Sequence, residues 1–174
     1  GEGTGVRDDQ DIGGPGPNVV LDMVHKSKLI PGCHVFMDNL FTSAPLLDRL
    51  SQMSIGGTGT VRQNRLNKVP IINKKKMEAK SIARGHHEQV YSEDQVLVAW
   101  KDSKAVYVES NHTNVEPMRS CTRFNRVEKK QVQVPVPDCI VAYNQGMGGV
   151  DLLDNLVSVY RYNETIYLFI FFRI

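Results

Sequence analysis

The succession of apolar runs and turn signals within residues 17–61 constrains the fold of this chain most. A helical pattern ends at Pro31-Gly32, and the apolar run 33–37 that follows lies between turn signals, as a buried strand does. A second helical pattern then leads to a strand pattern, rich in Gly and Thr, over residues 55–61. Helix, strand, helix and strand in this order predict an α/β layer whose strands are at least partly parallel.

The middle of the chain is predicted to be rich in strands. Two apolar runs, 96–100 and 105–108, flank a polar turn and indicate a β-hairpin, with a further strand within residues 84–91. A last helix is expected to begin between residues 138 and 140. These patterns divide the chain into a flexible lead-in, a first core part, a basic and β-rich insertion, a second core part and an apolar tail: 1–16, 17–66, 67–134, 135–161 and 162–174.

The glycine-rich segment Gly56–Thr60 does not have the pattern of a phosphate-binding loop. It lacks the Gly-Lys-Ser/Thr ending of a nucleotide-binding loop and the spacing of a dinucleotide fingerprint. Glycine within a strand instead indicates that a neighbouring element approaches the backbone closely.

Composition excludes several protein classes. Hydrophobic residues make up 41% of the 174 residues and charged residues 23%, which is typical of a globular domain. The longest apolar run, residues 166–172, is too short to span a membrane. Three cysteines without short spacing favour neither a disulfide framework nor a cysteine zinc site.

The net charge of +2 conceals two basic segments. Residues 61–90 carry eight Lys and Arg against two acids, and residues 119–130 carry five against one. Together they could line a surface that neutralises phosphates. The alternative is that both are solvated loops, since charged runs are common on protein surfaces.

Acidic residues at two places are candidates for metal chemistry. Asp38 directly follows the predicted buried strand, where α/β folds place residues that face a ligand. Asp151 and Asp154 lie one helical turn apart in the last helix. Converging carboxylates hold Mg²⁺ through hard oxygen ligands, although each of these aspartates could instead serve only at a helix N-terminus.

Four segments resemble the transposase domain of piggyBac-type elements. They are residues 36–43 (FMDNLFTS), residues 57–65 (GTGTVRQNR), the hairpin around Trp100-Lys101-Asp102, and residues 135–154, which contain YNQGMGGVDLLD. Their order is that of the family, and the resemblance extends over residues 15–161.

The resemblance implies a ribonuclease-H-like α/β core interrupted by a β-rich insertion, with a three-aspartate, Mg²⁺-dependent site that cuts and joins DNA at TTAA targets. Asp38 then corresponds to the second catalytic aspartate and Asp151 to the third, both as metal ligands, with Asp154 as a nearby acidic position. The partner is DNA, the location is nuclear, a homodimer is expected of the complete parent, and neither a membrane nor a small-molecule substrate is expected. The implied DNA-contacting residues are Arg62, Arg65, Lys68, Lys74, Lys75 and Lys76.

The sequence also departs from the family pattern. No residue corresponds to the first catalytic aspartate, because Asp8, Asp9 and Asp11 lie in the glycine-rich lead-in. We therefore expect a fragment whose core lacks its first strands and which is catalytically inactive alone. The alternative function is a domesticated, non-catalytic module that binds DNA or associates with chromatin.

Overall fold

The computed structural model describes residues 12–66, 68–148 and 170–173. Its helices are α1 (Pro15–Lys26), α2 (Ala44–Gln52), α3 (Lys74–Met77) and α4, which covers 138–148 within the described residues. Its strands are β1 (His34–Met37), β2 (Gly56–Thr60), β3 (His87–Tyr91), β4 (Val96–Lys101), β5 (Ala105–Ser110), β6 (Arg119–Asn125), β7 (Lys130–Val136) and β8 (Ile170–Arg173).

Six strands form one mixed sheet in the order β3-β4-β5-β2-β1-β8. Strands β1 and β2 are parallel, with His34 opposite Gly56 and Met37 opposite Gly59, which confirms the prediction of a parallel pair. The remaining pairs are antiparallel, and β8 covers the outer edge of β1 along its whole length. Since β1 is buried at all four positions, both of its edges and both of its faces are covered.

Helices α1 and α2 pack on one face of the β1–β2 pair. Ser43 caps the N-terminus of α2, because its hydroxyl accepts a hydrogen bond from the Leu46 amide at 3.3 Å. Leu47 and Leu50 are fully buried beneath the helix. A Cβ atom on Gly57 would stand 2.5 Å from the Leu47 side chain. The glycines of β2 therefore serve close packing, as the sequence indicated.

Helix α4 packs on the opposite face of the sheet. Gly146 lies directly against the ring of Phe36, so that any larger residue would clash there. A second apolar cluster joins Ile140 of α4 to Val98 of β4, and the Trp100 indole N–H closes it by donating to the carbonyl of Pro135 at 2.9 Å. The core is thus an α/β arrangement with helices on both faces of the sheet.

The described part of the predicted lead-in differs from that expectation. Ile12 is 4% exposed within the first apolar cluster, and Pro15 begins α1. Gly13 and Gly14 make this possible, since both adopt a positive φ that other residues disfavour. Helix α4 is continuous from residue 138 to residue 148.

The strands of the middle region divide between two sheets. Strands β3, β4 and β5 extend the sheet that contains β1 and β2, and β6 with β7 forms a separate two-stranded sheet. This topology does not test the predicted domain boundaries, which stay predictions. Among the described residues no helix is both long and apolar enough to cross a membrane.

Candidate functional site

Asp38 lies at the carboxyl end of β1, half-buried, where the strand turns toward α2. Its backbone carbonyl accepts hydrogen bonds from the amides of Phe41 and Thr42 at 3.0 and 3.2 Å, which closes this turn. The cap of α2 is Ser43, so the side chain of Asp38 does not serve as a helix cap. The carboxylate therefore lies at the end of a buried strand without a capping role in α2.

The two oxygens of the Asp38 carboxylate have different surroundings. Oδ1 accepts a hydrogen bond from Asn39 Nδ2 at 2.8 Å and another from Thr60 Oγ1 at 3.2 Å. Within the described ranges, no group donates a hydrogen bond to Oδ2. One oxygen is thus fixed by the protein, and the other remains able to bind a ligand.

Two arginines adjoin this carboxylate through Asn39. Arg62 Nε donates to the Asn39 side-chain oxygen at 2.5 Å. Arg65 Nη1 donates to the backbone carbonyls of Asn39 and Thr42, at 3.0 and 2.9 Å. All three acceptors are uncharged, so each guanidinium is held in place without losing its positive charge.

Asp38 opens onto a cleft of about 440 Å³ between the β1–β2 layer and the α3 region. Arg62 and Lys74 contribute positive charge to its wall, and Asp38 is the single acidic residue among the described lining residues. Tyr143 of α4 also lines the cleft, and its hydroxyl lies 3.4 Å from Thr60 Oγ1. The cleft thus combines one carboxylate with fixed cations, an arrangement that suits a phosphate and a divalent cation bound together.

The described residues bring one of the three predicted acidic residues to the cleft. Asp151 and Asp154 lie outside the described residues. No group of three or more His, Cys, Asp or Glu side chains in the described ranges is placed to hold a metal ion. The carboxylate of Asp38 has the hard oxygen that Mg²⁺ prefers, and it fits such an ion as one ligand of several.

The predicted basic residues are all exposed, and two of them, Arg62 and Lys74, line the cleft, so we call the whole set the cleft-side surface. Lys74 Nζ lies 3.9 Å from the carboxylate of Glu78, which is a long ion pair. This surface consists of Arg62, Arg65, Lys68, Lys74, Lys75 and Lys76, all exposed.

The second basic segment has a different environment. Arg119 binds Asp138 and Lys130 binds Glu128, at 2.8 and 2.7 Å. Arg123 binds Asp102 at 3.1 Å, and Asp102 also binds Arg84. Three of the five cations of this segment are therefore paired with carboxylates, and the prediction that the two basic segments line a phosphate-binding surface stays a prediction.

Asn39, Thr60 and Tyr143 line the cleft, although sequence reasoning gave none of them a role. All three lie inside the segments that carry the family resemblance. A local signal exists only for Asn39, which directly follows the strand end. Thr60 and Tyr143 come from distant elements, and the fold brings their hydroxyls together.

A further carboxyl group with unusual properties lies away from the cleft. Burial raises the pKa of Glu109 on β5 to about 7, and the nearby carboxylate of Asp48 on α2 adds to this effect. Glu109 lies opposite Gly59 and Leu97 in the sheet. Glu109 does not line the Asp38 cleft. Its raised pKa affects how the free energy of unfolding depends on pH.

Comparison with known proteins places these features in a family. The family model for the transposase IS4 family matches residues 1–166. PiggyBac transposable element-derived protein 3 of Homo sapiens is 35% identical over 129 residues, which are 74% of this chain and 21% of that protein. PiggyBac transposable element-derived protein 2 of Homo sapiens is 30% identical over 153 residues, which are 87% of this chain and 25% of that protein.

A solved structure is similar as well. The piggyBac transposase in a cryo-EM synaptic complex with hairpin DNA superposes with a TM-score of 0.57 at 28% identity, over 88% of this chain and 30% of that chain. The chain thus spans about a quarter of the length of these relatives. Since the family model covers nearly all of its residues, the chain belongs to the piggyBac-type transposase IS4 family.

Proposed function

We propose that this chain is part of the DNA-binding catalytic core of a piggyBac-like transposase, built on a ribonuclease-H-like fold. One observation carries the proposal: Asp38 ends a buried strand with Oδ1 fixed by two hydrogen bonds and lines a cleft where the other charged residues among those described, Arg62 and Lys74, are cations. Strand-end carboxylates beside cations are suited to phosphodiester chemistry.

Asp38 would hold Mg²⁺ in the complete domain. Asp151 and the adjacent Asp154 are proposed to supply further oxygens, as the family motif implies. The ion would activate a nucleophile and stabilise the charge that develops on a phosphodiester. Asp38 would orient the ion, while Arg62 and Lys74 would hold the phosphate. No residue of this chain matches the first aspartate, so we propose that the chain alone does not cleave DNA and that a homodimer, if formed, belongs to the complete parent.

DNA binding would depend on the cleft-side surface. Its guanidinium groups are bound to neutral acceptors and its lysines are exposed, so their charges are available to phosphates. The similar solved structure is a complex with hairpin DNA. A nuclear location would follow from such a partner.

The test compares two triple variants with the same change in charge. Lys74, Lys75 and Lys76 replaced by Gln should weaken binding of duplex DNA strongly and reduce the slope of log affinity against log salt by about 2–3. Replacing Arg126, Lys129 and Lys130 by Gln should change the DNA affinity and the salt slope much less. Equal losses in the two variants would show that net charge, not this surface, determines binding.

A non-catalytic DNA-binding module is the second candidate, and the exposed lysines favour it because phosphate contact through them needs no metal. The two functions differ in their response to Mg²⁺. Nicking of transposon-end DNA that is lost in Asp38→Asn would show that the chain is catalytic by itself. If Asp38 holds the ion, Mg²⁺ should strengthen DNA binding by the native chain more than by Asp38→Asn. Salt-dependent binding that responds to Mg²⁺ equally in both chains supports the binding module.

A further inference from the structure

We propose that Asn39 and Thr60 are positioning residues that hold Oδ1 of Asp38, so that Oδ2 is the oxygen presented to a divalent cation. This inference rests on the proposed function, because it concerns the same carboxylate. It assigns a role to two further residues, and it predicts that the cation and the phosphate raise each other's affinity.

Two donors from different elements converge on the same carboxylate oxygen. Asn39 is the next residue in the chain, and Thr60 lies 22 residues away at the end of β2. Two hydrogen bonds from separate directions restrict rotation of a carboxylate far more than one does, and hydrogen bonds to a charged group are the stronger kind. A fixed carboxylate loses less rotational freedom when it binds an ion.

The direction of the Asn39 amide follows from its neighbours. Arg62 can only donate hydrogen bonds, and it contacts the amide oxygen at 2.5 Å. An ionised carboxylate can only accept, so the NH₂ group must face Asp38. Asn39 therefore lies between a cation and an anion and satisfies both.

Thr60 has an equally defined direction. Its single hydroxyl proton is donated to Asp38 Oδ1, and its oxygen lies 3.4 Å from the Tyr143 hydroxyl. Tyr143 thus places helix α4 next to the hydroxyl that holds Asp38.

The position of Asn39 couples the two halves of the cleft. A phosphate bound by Arg62 keeps the guanidinium, and with it the Asn39 amide, in the orientation that fixes Asp38. A cation on Oδ2 should therefore raise the affinity for phosphate, and phosphate should raise the affinity for the cation by the same factor. Without the Asn39 amide, the factor by which each ligand raises the affinity for the other should fall to the value that comes from the attraction between cation and phosphate alone.

The experiment measures the rotamer of Asp38 and the binding of Mn²⁺ in the 174-residue chain. NMR coupling constants report the χ1 rotamer in the metal-free protein, and paramagnetic broadening of amides 37–40 reports Mn²⁺ affinity. Thr60→Val removes the hydroxyl at constant shape, and Thr60→Ser retains it. We expect Asp38 to sample several χ1 rotamers in Thr60→Val and in Asn39→Ala. Both variants should bind Mn²⁺ about tenfold more weakly, as happens when a metal ligand loses a hydrogen bond from its surroundings. Thr60→Ser should resemble the native chain.

Inorganic phosphate serves as the probe of coupling. Phosphate should increase Mn²⁺ affinity in the native chain and increase it less in Asn39→Ala. A single Asp38 rotamer and native Mn²⁺ affinity in both Thr60→Val and Asn39→Ala would overturn the positioning role. Asp38→Asn separates the two proposals: if it binds Mn²⁺ as tightly as the native chain, the assignment of Asp38 as a ligand in the proposed function is wrong instead.

Discussion

The two basic regions of this molecule have similar compositions and different electrostatic properties. In the cleft-side surface, Arg62 and Arg65 are held by amide and carbonyl oxygens, and the lysines of α3 are exposed. In the β6–β7 region, Arg119 and Arg123 are paired with Asp138 and Asp102. The arginines of the first region are bound to neutral acceptors, whereas those of the second join β6 to the rest of the protein through ion pairs.

The difference shows that the net charge of a segment is less informative than the groups that accept hydrogen bonds from its cations. A guanidinium bound to a neutral oxygen still attracts a phosphate, whereas one bound to a carboxylate is largely neutralised. Asp102 illustrates the point, since it binds both Arg84 and Arg123. Changes of the carboxyl groups of Asp102 and Glu128 test this contrast, and a change of Glu109 tests a carboxyl group that lies outside both regions.

The largest expected effect concerns Glu109, a buried acid whose charged form is opposed rather than stabilised. Its pKa is raised from 4.5 to about 7 in the folded protein, so the folded state holds this proton more tightly than the unfolded chain does. The resulting stability is fully present below pH 4.5, is lost as the pH rises from 4.5 to 7, and stays absent above 7. Glu109→Gln should therefore increase the free energy of unfolding at pH 8 by about 3 kcal/mol relative to the native chain.

Urea unfolding at pH 5 and pH 8 measures this change. The difference between the two pH values should be smaller in Glu109→Gln, and the exposed control Glu93→Gln should retain the native pH dependence. The same pH dependence in native protein and Glu109→Gln would show that burial does not penalise this carboxylate.

Asp102→Asn should have the next largest effect. It removes the carboxylate partner of two arginines and so should make the β6–β7 region electrostatically more similar to the cleft-side surface. Asp102 is 21% exposed and neutralises two arginines that are about one-third exposed. Loss of its charge should lower the free energy of unfolding by about 2 kcal/mol, because partly buried cations lose their partner. Affinity for duplex DNA should rise, since two cations are released.

Thermal unfolding and DNA binding at two salt concentrations check both parts of this prediction. The exposed Asp94→Asn gives the same change in net charge without touching an arginine and serves as the control. If Asp94→Asn raises DNA affinity as much as Asp102→Asn does, then net charge rather than local pairing determines binding.

The helix and strand order of residues 17–61 and the close packing at the glycines of β2 were predictable from sequence, because apolar periodicity and glycine content are local patterns. The contacts of Asp38 were not, since Thr60 lies 22 residues from Asp38 and Tyr143 lies 83 residues from Thr60. The pairing of Asp102 with Arg84 and Arg123 likewise depends on the docking of separate elements. The pairing of β8 with β1 joins distant segments that no local pattern connects.

The smallest expected effect comes from Glu128→Gln in the turn between β6 and β7. Glu128 binds Lys130 at 2.7 Å, but their side chains are 48% and 65% exposed. Water and salt screen such a pair, so the free energy of unfolding should change by less than about 0.5 kcal/mol. DNA affinity should rise slightly at low salt, less than in Asp102→Asn, because one exposed cation is released instead of two. A rise equal to that of Asp102→Asn would mean that the hairpin turn itself contacts DNA, and the contrast between the two basic regions would then be one of degree.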